Sequence, residues 1–108
     1  MRNKYHAVRT EVDGIGFASK REAQRYVELK LLEKAGEITE LELQPSYPLL
    51  AVAPLGGMVQ VGKYIADFRY LTRDADVVVE DVKGVKTPVY NLKKKIVRAN
   101  YGVQIVEV

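Results

Sequence analysis

Cysteine is absent from the 108 residues and histidine occurs once. The first absence excludes disulfides and thiolate metal sites. The second excludes the usual zinc clusters and argues against a histidine general base. No apolar run is long enough to span a bilayer. The polar start MRNKYHAVR holds no signal-peptide core, so a cytoplasmic protein is expected. There is no internal repeat and no low-complexity segment. Charge of one sign is also scarce. A net charge of +3 permits contact with nucleic acid without demonstrating it. The length fits one domain, residues 1–108, with a modest core that needs no staples. The composition is that of an ordinary globular chain suited to a reducing compartment.

What charge there is lies unevenly. Basic residues crowd MRNKYHAVR and, later, KGVKTPVYNLKKKIVR. The first stretch, to about residue 16, reads as a basic extended arm, and the glycines of DGIGF resist a helix. Ser19 is a good N-cap for the helix REAQRYVELKLLEKAGE, with Glu22 three residues on as the other half of a capping box. Ala23, Tyr26, Val27, Leu31 and Leu32 supply its apolar stripe, and Gly36 stops it. ITELELQPSYPLLAVAP reads as two short strands bent near Gln44–Ser46, because two prolines interrupt it. VQVGKYIADFRYLT reads as one long strand. Thr72–Ala75 turns the chain, and DVVVEDVKG returns antiparallel. Pro88 opens a second helix to about Ala99, with Val89, Leu92, Ile96 and Val97 as its apolar members. VQIVEV is the last strand. The expected class is α/β, a mixed sheet flanked by helices in the order α-β-β-β-β-α-β.

The stretch VVVEDVKG carries the chemistry. Alternation puts Val77, Val79, Asp81 and Lys83 on one face of the strand, and Val78, Glu80 and Val82 on the other. A polar pair that follows buried valines needs partners or a purpose. Asp67, inside YIADFRY, would come opposite or near Asp81 if the hairpin turns at Thr72–Ala75. Two such carboxylates can hold a hard divalent cation, for which magnesium is the natural choice. Lys83 beside them could orient a water or stabilise charge developing on a phosphate. The competing reading is a solvated surface pair worth about 0–1 kcal/mol, and spacing alone gives the two readings even odds. Glu80, facing away, is expected to act in a salt bridge or behind the site.

Taken in order, KYHAVRT, GIGFASKREAQRYVELKLLEKAGEI, LELQPSYPL, YIADFRY, VVEDVKG and YNLKKKI cover nearly the whole chain. They resemble the small phage and prophage proteins of the DUF1064 family, of the PD-(D/E)XK nuclease superfamily. The resemblance implies a restriction-endonuclease-like core. It makes Asp67 and Asp81 the metal-binding acids, Lys83 the motif lysine, and Glu22 a catalytic glutamate and third metal ligand from the first helix. Ala66 stands where the motif's proline would be. The implied cofactor is Mg²⁺, with Mn²⁺ able to substitute. Glu22 thus has two readings, helix cap or metal ligand. Gln44 likewise reads as a group near the site or as a turn residue.

Lys86, Thr87, Lys93, Lys94 and Arg98 follow the motif strand and are the expected nucleic-acid contacts. The amides at the start of the second helix would assist them. The resemblance implies that Lys93 approaches the catalytic centre. Tyr90 reads either as a stacking platform for a base or as sheet packing. Lys4 and Arg9 of the arm would track a backbone. Nothing resembles a module that reads base edges, so shape rather than sequence should be recognised.

The expected function is a metal-dependent endonuclease acting on DNA, selective for branches or junctions, in phage replication or recombination. A homodimer would pair two sites on one junction. A replication or recombination protein could supply specificity. The rivals are a non-catalytic accessory DNA-binding protein, a protein-interaction module, and a nuclease acting on RNA.

Overall fold

The computed structural model describes residues 8–108. Lys4, in the expected basic arm, lies outside them. The described residues form eight strands and two helices. Strands β1 (Thr10–Val12) and β2 (Ile15–Phe17) make an antiparallel hairpin. The stretch expected to be an extended arm is therefore folded from Thr10 on. Its two-residue turn is Asp13–Gly14, both at positive φ (53° and 77°). That is the Asp-Gly turn whose twist matches paired strands.

Helix α1 (Lys20–Lys34) starts where expected, with Ser19 Oγ accepting from the Glu22 amide at 3.1 Å. It closes in a Schellman motif. Gly36 sits at φ 80°, and the Glu37 amide reaches back to Leu32 O at 2.9 Å. The buried face is Glu22, Ala23, Tyr26 and Leu29. Val27, Leu31 and Leu32 are exposed, contrary to expectation. The expected stripe runs on from Ala23 and Tyr26 through Val27 to Leu31 and Leu32. The real one advances three residues at a time, from Ala23 to Tyr26 to Leu29, because the helix leans on the first hairpin, with the Phe17 and Tyr26 rings 5.1 Å apart.

Strands β3 (Ile38–Leu43), β4 (Ser46–Val52), β5 (Met58–Ile65), β6 (Phe68–Thr72) and β7 (Val77–Asp81) follow, then helix α2 (Pro88–Tyr101) and β8 (Ile105–Glu107). The main sheet runs β3-β6-β7-β8, antiparallel except for the β7–β8 pair. The chain is thus α/β with a mixed sheet, as expected. The single long strand is not observed. It breaks between Ile65 and Phe68, and β4–β5 forms a separate hairpin. The observed order is β-β-α-β-β-β-β-β-α-β.

The break has a cause. A two-stranded ribbon leaves the main sheet at two facing points, Gln44–Pro45 and Ala66–Asp67. Gln44 takes φ 52°, and Pro45 has no amide to give. The ribbon stays bonded through the bend: Gln44 N to Asp67 O at 2.9 Å, and Ala66 N to Pro45 O at 3.0 Å. Asp67 therefore sits at a corner with its backbone held from both sides.

The sheet is covered on two faces. On one, Phe17, Ala23, Tyr26, Leu29, Ile38, Phe68 and Tyr70 form a core that Val78 and Val82 join. On the other, Tyr47, Leu49, Tyr64, Ala66, Val79, Tyr90, Val97 and Ile105 form a second core. The alternation expected for β7 is thus observed, with Val79 on one side and Val78 and Val82 on the other. Each fully buried apolar side chain contributes about 1.5–3 kcal/mol.

Thr87 caps α2, its Oγ accepting from Tyr90 N at 3.1 Å, and Pro88 fills the first turn. Gly102 ends the helix at φ 69°. Tyr90 and Val97 are its buried residues. Val89 and Leu92, expected in the apolar stripe, are exposed. The helix is turned so that Tyr90 faces the core in their place. Asn100 fixes this rotation by bonding both the amide (2.8 Å) and the carbonyl (3.2 Å) of Leu50 in β4. No described helix is long and apolar enough to cross a membrane.

Candidate active site

Asp67 precedes β6 and Asp81 ends β7. These strands are antiparallel, with Phe68 opposite Glu80. The two acids therefore share one end of the sheet. The Asp67 amide donates to Glu80 O at 3.1 Å, and its Oδ2 accepts from the Val82 amide at 2.7 Å. Asp81 is 1% exposed. Its Oδ2 accepts from the Tyr64 hydroxyl and lies 3.3 Å from Lys83 Nζ. Its carbonyl accepts from Val108 N at 3.0 Å.

The carboxyl of Asp81 lies beside that of Asp67 and raises it. Burial and that neighbour push Asp67 up to about 8, the Val82 amide opposes the rise, and the charges of Asp81 and Glu22 add to it. The crowded, buried setting thus favours the neutral form of Asp67. Burial likewise pushes Glu22 up. The Ala18 backbone and Lys83 oppose that rise, while Asp81 adds to it. Ser19 caps the Glu22 amide, while the Glu22 carboxyl is held by the Ala18 backbone and lies near enough to Asp81 and Lys83 to feel their charges. Its two sequence readings therefore draw on the same carboxyl.

Glu80 faces the opposite side, as alternation requires. It meets Arg25 in a fork, Nε at 2.8 Å and Nη2 at 2.7 Å, and accepts from the Tyr70 hydroxyl. Burial, followed by this bond, pushes Tyr70 up to about 12. Arg25 lies one helical turn after Glu22, so the fork pins α1 at the rotation that aims Glu22 toward Asp81. Glu80 is a salt-bridge residue here. Gln44 acts through its backbone at the bend, and its side chain is exposed.

The basic candidates divide. Lys83 lies between Asp81 and the Tyr90 ring, 4.6 Å from its centroid. Tyr90 packs in the core and donates to Glu107 Oε2 at 2.8 Å. The stacking-platform reading fails, because the ring is buried. Lys86 and Lys94 pair with Glu107 at 3.1 and 3.3 Å. The Tyr90 hydroxyl first, then Lys86, hold Glu107 down at about 2, against burial and with the help of Lys94. Thr87 is occupied as a helix cap. Lys93 is half-buried and Arg98 exposed, and neither forms an ion pair among the described residues. Arg98 lies eight residues beyond Tyr90, roughly 12 Å along the helix and away from the acids. Arg9 lies with its guanidinium across Gly16 on the first hairpin and makes no bond to the acid cluster among the described residues.

Sequence reasoning missed Tyr64, Arg25 and Glu107 as partners of the site, and it read Tyr90 without its contact to Lys83. Tyr64 carried a signal, since it sits three residues before Asp67 in an apolar strand. The others are joined to it only by packing.

Among the described residues no group of three or more His, Asp or Glu closes to metal-binding distance. Asp67 and Asp81 lie beside each other, and the outer oxygen of Asp81 is engaged by Tyr64 and Lys83. The donor chemistry nonetheless fits a hard ion. Two carboxylates and a nearby third, with no soft ligand, suit magnesium. A cation would favour the ionised form of Asp67 over the neutral one.

The chain matches, over residues 2–106, the family described as a protein of unknown function (DUF1064), and it belongs to that family. No curated protein matches it. No solved structure matches it either.

Proposed function

We propose that this protein is a metal-dependent endonuclease that hydrolyses DNA phosphodiester bonds. Its core would be the restriction-endonuclease-like core of the PD-(D/E)XK superfamily. One observation carries the reading: Asp67, Asp81 and Lys83 meet at one end of two adjacent strands with Glu22 turned toward them. A buried cluster of acids is costly unless a cation is its working partner.

Asp67 and Asp81 would hold Mg²⁺ or Mn²⁺, with Glu22 directly or through a water. The bound ion supplies an acidified water and neutralises phosphoryl charge. Lys83 keeps an ammonium beside Asp81, where it orients the attacking water and offsets charge growing on the phosphate. The α2 amides and Lys93 offer phosphate contacts next to the site, with Lys86 and Lys94 once they leave Glu107. The substrate we favour is branched or junction DNA, cleaved by a homodimer during phage replication or recombination in the bacterial cytoplasm. In so small a chain a partner protein would supply further specificity.

One observation favours the accessory-protein reading: Tyr64 and Lys83 already satisfy Asp81 without a metal. A labelled panel of duplex, single strand, flap, four-way junction and RNA decides between them. It is run in Mg²⁺, Mn²⁺ and EDTA, with wild type beside K83A. Metal-dependent cleavage lost in K83A supports the nuclease, and the preferred member names the substrate. Binding with no cleavage in either metal supports the accessory reading.

A further inference from the structure

Lys83 contacts one acid and one aromatic ring, with Glu22 near enough to feel its charge. Its Nζ lies 3.3 Å from Asp81 Oδ2 and 4.6 Å from the centre of the Tyr90 ring. The ring is itself held firmly. Tyr90 lies in the first turn of α2, its amide is bonded by the Thr87 cap, and its side chain is buried in the core. Its hydroxyl donates to Glu107, which stands opposite Asp81 across the β7–β8 register. The Tyr64 ring lies 6.2 Å away, and Lys94 Nζ sits 5.5 Å from the same Tyr90 centroid. Packing accounts for the burial of this tyrosine. It does not account for two ammonium groups over one ring.

We propose that Tyr90 is the positioning residue for Lys83: the ring face keeps the ammonium in the site independently of the charge on Asp81. The proposal rests on the nuclease reading of Lys83. The ion pair with Asp81 is a Coulomb contact, and it weakens as soon as a divalent cation neutralises that carboxylate. A lysine is a strongly hydrated charge on a flexible four-carbon stem, and next to a divalent cation it is driven toward water. The attraction of the ring face does not depend on Asp81. The acid thus holds Lys83 in the metal-free protein, and the ring holds it when the acid is engaged elsewhere. Glu107 fixes the ring by its hydroxyl, and Tyr64 links the same cluster back to Asp81.

The test needs no nuclease activity at its first stage. The Lys83 methylene protons next to Nζ are observed by NMR in metal-free wild type, Y90F and Y90L, with K83A assigning the signal. A ring beneath the ammonium shifts these protons upfield in wild type and Y90F, and the shift disappears in Y90L. At the second stage, kcat in Y90L falls about tenfold with KM held within about twofold, and Y90F stays near wild type. Unshifted Lys83 protons in wild type, or a folded Y90L with wild-type kcat, would overturn the proposal. If Y90L does not fold, the wild-type shift decides alone. If wild type cleaves nothing, the nuclease reading fails, while the NMR shift still decides whether the ring holds Lys83.

Discussion

Glu80 and Asp81 are consecutive acids, both 1% exposed, at the end of the same strand. They have opposite electrostatic surroundings. Glu80 faces α1 and is matched by the Arg25 guanidinium in a bidentate fork, with a tyrosine hydroxyl added. Asp81 faces α2 and finds a second carboxyl, a tyrosine hydroxyl, and one lysine shared with an aromatic ring. The first acid is neutralised within the fold. The second belongs to a cluster that holds more carboxyls than cations. A buried charge with a complete partner set is a fastener. A buried group of acids short of cations is what the proposed nuclease needs to receive a metal ion.

Four experiments break or sharpen this contrast. The largest effect is expected on activity. D81A should lower metal-dependent cleavage by about a thousandfold or more, while the protein stays folded with a urea midpoint near wild type, because relief of the crowded Asp67 carboxyl offsets the lost Tyr64 and Lys83 contacts. A D81A protein that no longer folds would place Asp81 among the fasteners.

E80A should behave in the opposite way. Removing Glu80 leaves the buried Tyr70 hydroxyl without its acceptor and Arg25 with Glu28 alone, and costs about 1–3 kcal/mol. Urea unfolding measures it, and a loss below about 1 kcal/mol would erase the distinction between the two acids.

The third test uses pH. Asp67 is raised in the folded chain, so the fold binds a proton that the unfolded chain releases. The stability this contributes is fully present below the unfolded value of about 4 and is lost as pH rises through about 8. Metal-free protein should therefore lose on the order of 1–3 kcal/mol between those limits, and D67N should flatten the curve. Added Mg²⁺ should raise the melting temperature of wild type at the upper end and leave D67N unchanged. Equal magnesium effects on both would remove Asp67 from the cation site.

The smallest effect is expected at Glu107, which holds Lys86 and Lys94. E107Q should tighten DNA binding in EDTA about two- to fivefold and steepen its salt dependence, because two ammonium groups are released to phosphates. Unchanged affinity would mean that these lysines do not face the nucleic acid. Glu107 lies at about 2, held there first by the Tyr90 hydroxyl and then by Lys86, so its own ionisation should contribute no pH dependence above about 5.

Local signals were legible where one or two neighbouring residues settle the geometry. Ser19 and Gly36 bound α1 as read, and strand parity separated Glu80 from Asp81. The Asp-Gly turn of the first hairpin was equally local but was read as extended arm. Helix faces were read less well, because an apolar residue can lie on either side of a stripe. Only the docking partner shows that Leu29 goes in and Leu31 stays out, or that Tyr90 displaces Leu92. The break before Phe68 was hidden for a different reason. VQVGKYIADFRYLT has strand character throughout, and the bend arises where Ala66–Asp67 meets Gln44–Pro45, some twenty residues away in sequence.

The sequence by itself determined the residue types at the site, the parity that puts Asp81 and Lys83 on one face, the helix caps, and the family. These follow from steric rules acting over a few residues. Tertiary structure alone decided that Asp67 stands at a corner beside Asp81, that Arg25 takes Glu80, and that Tyr90 lies under Lys83. Those contacts depend on which faces are buried together. Burial and Coulomb interaction act through space, and neither is confined to neighbours along the chain.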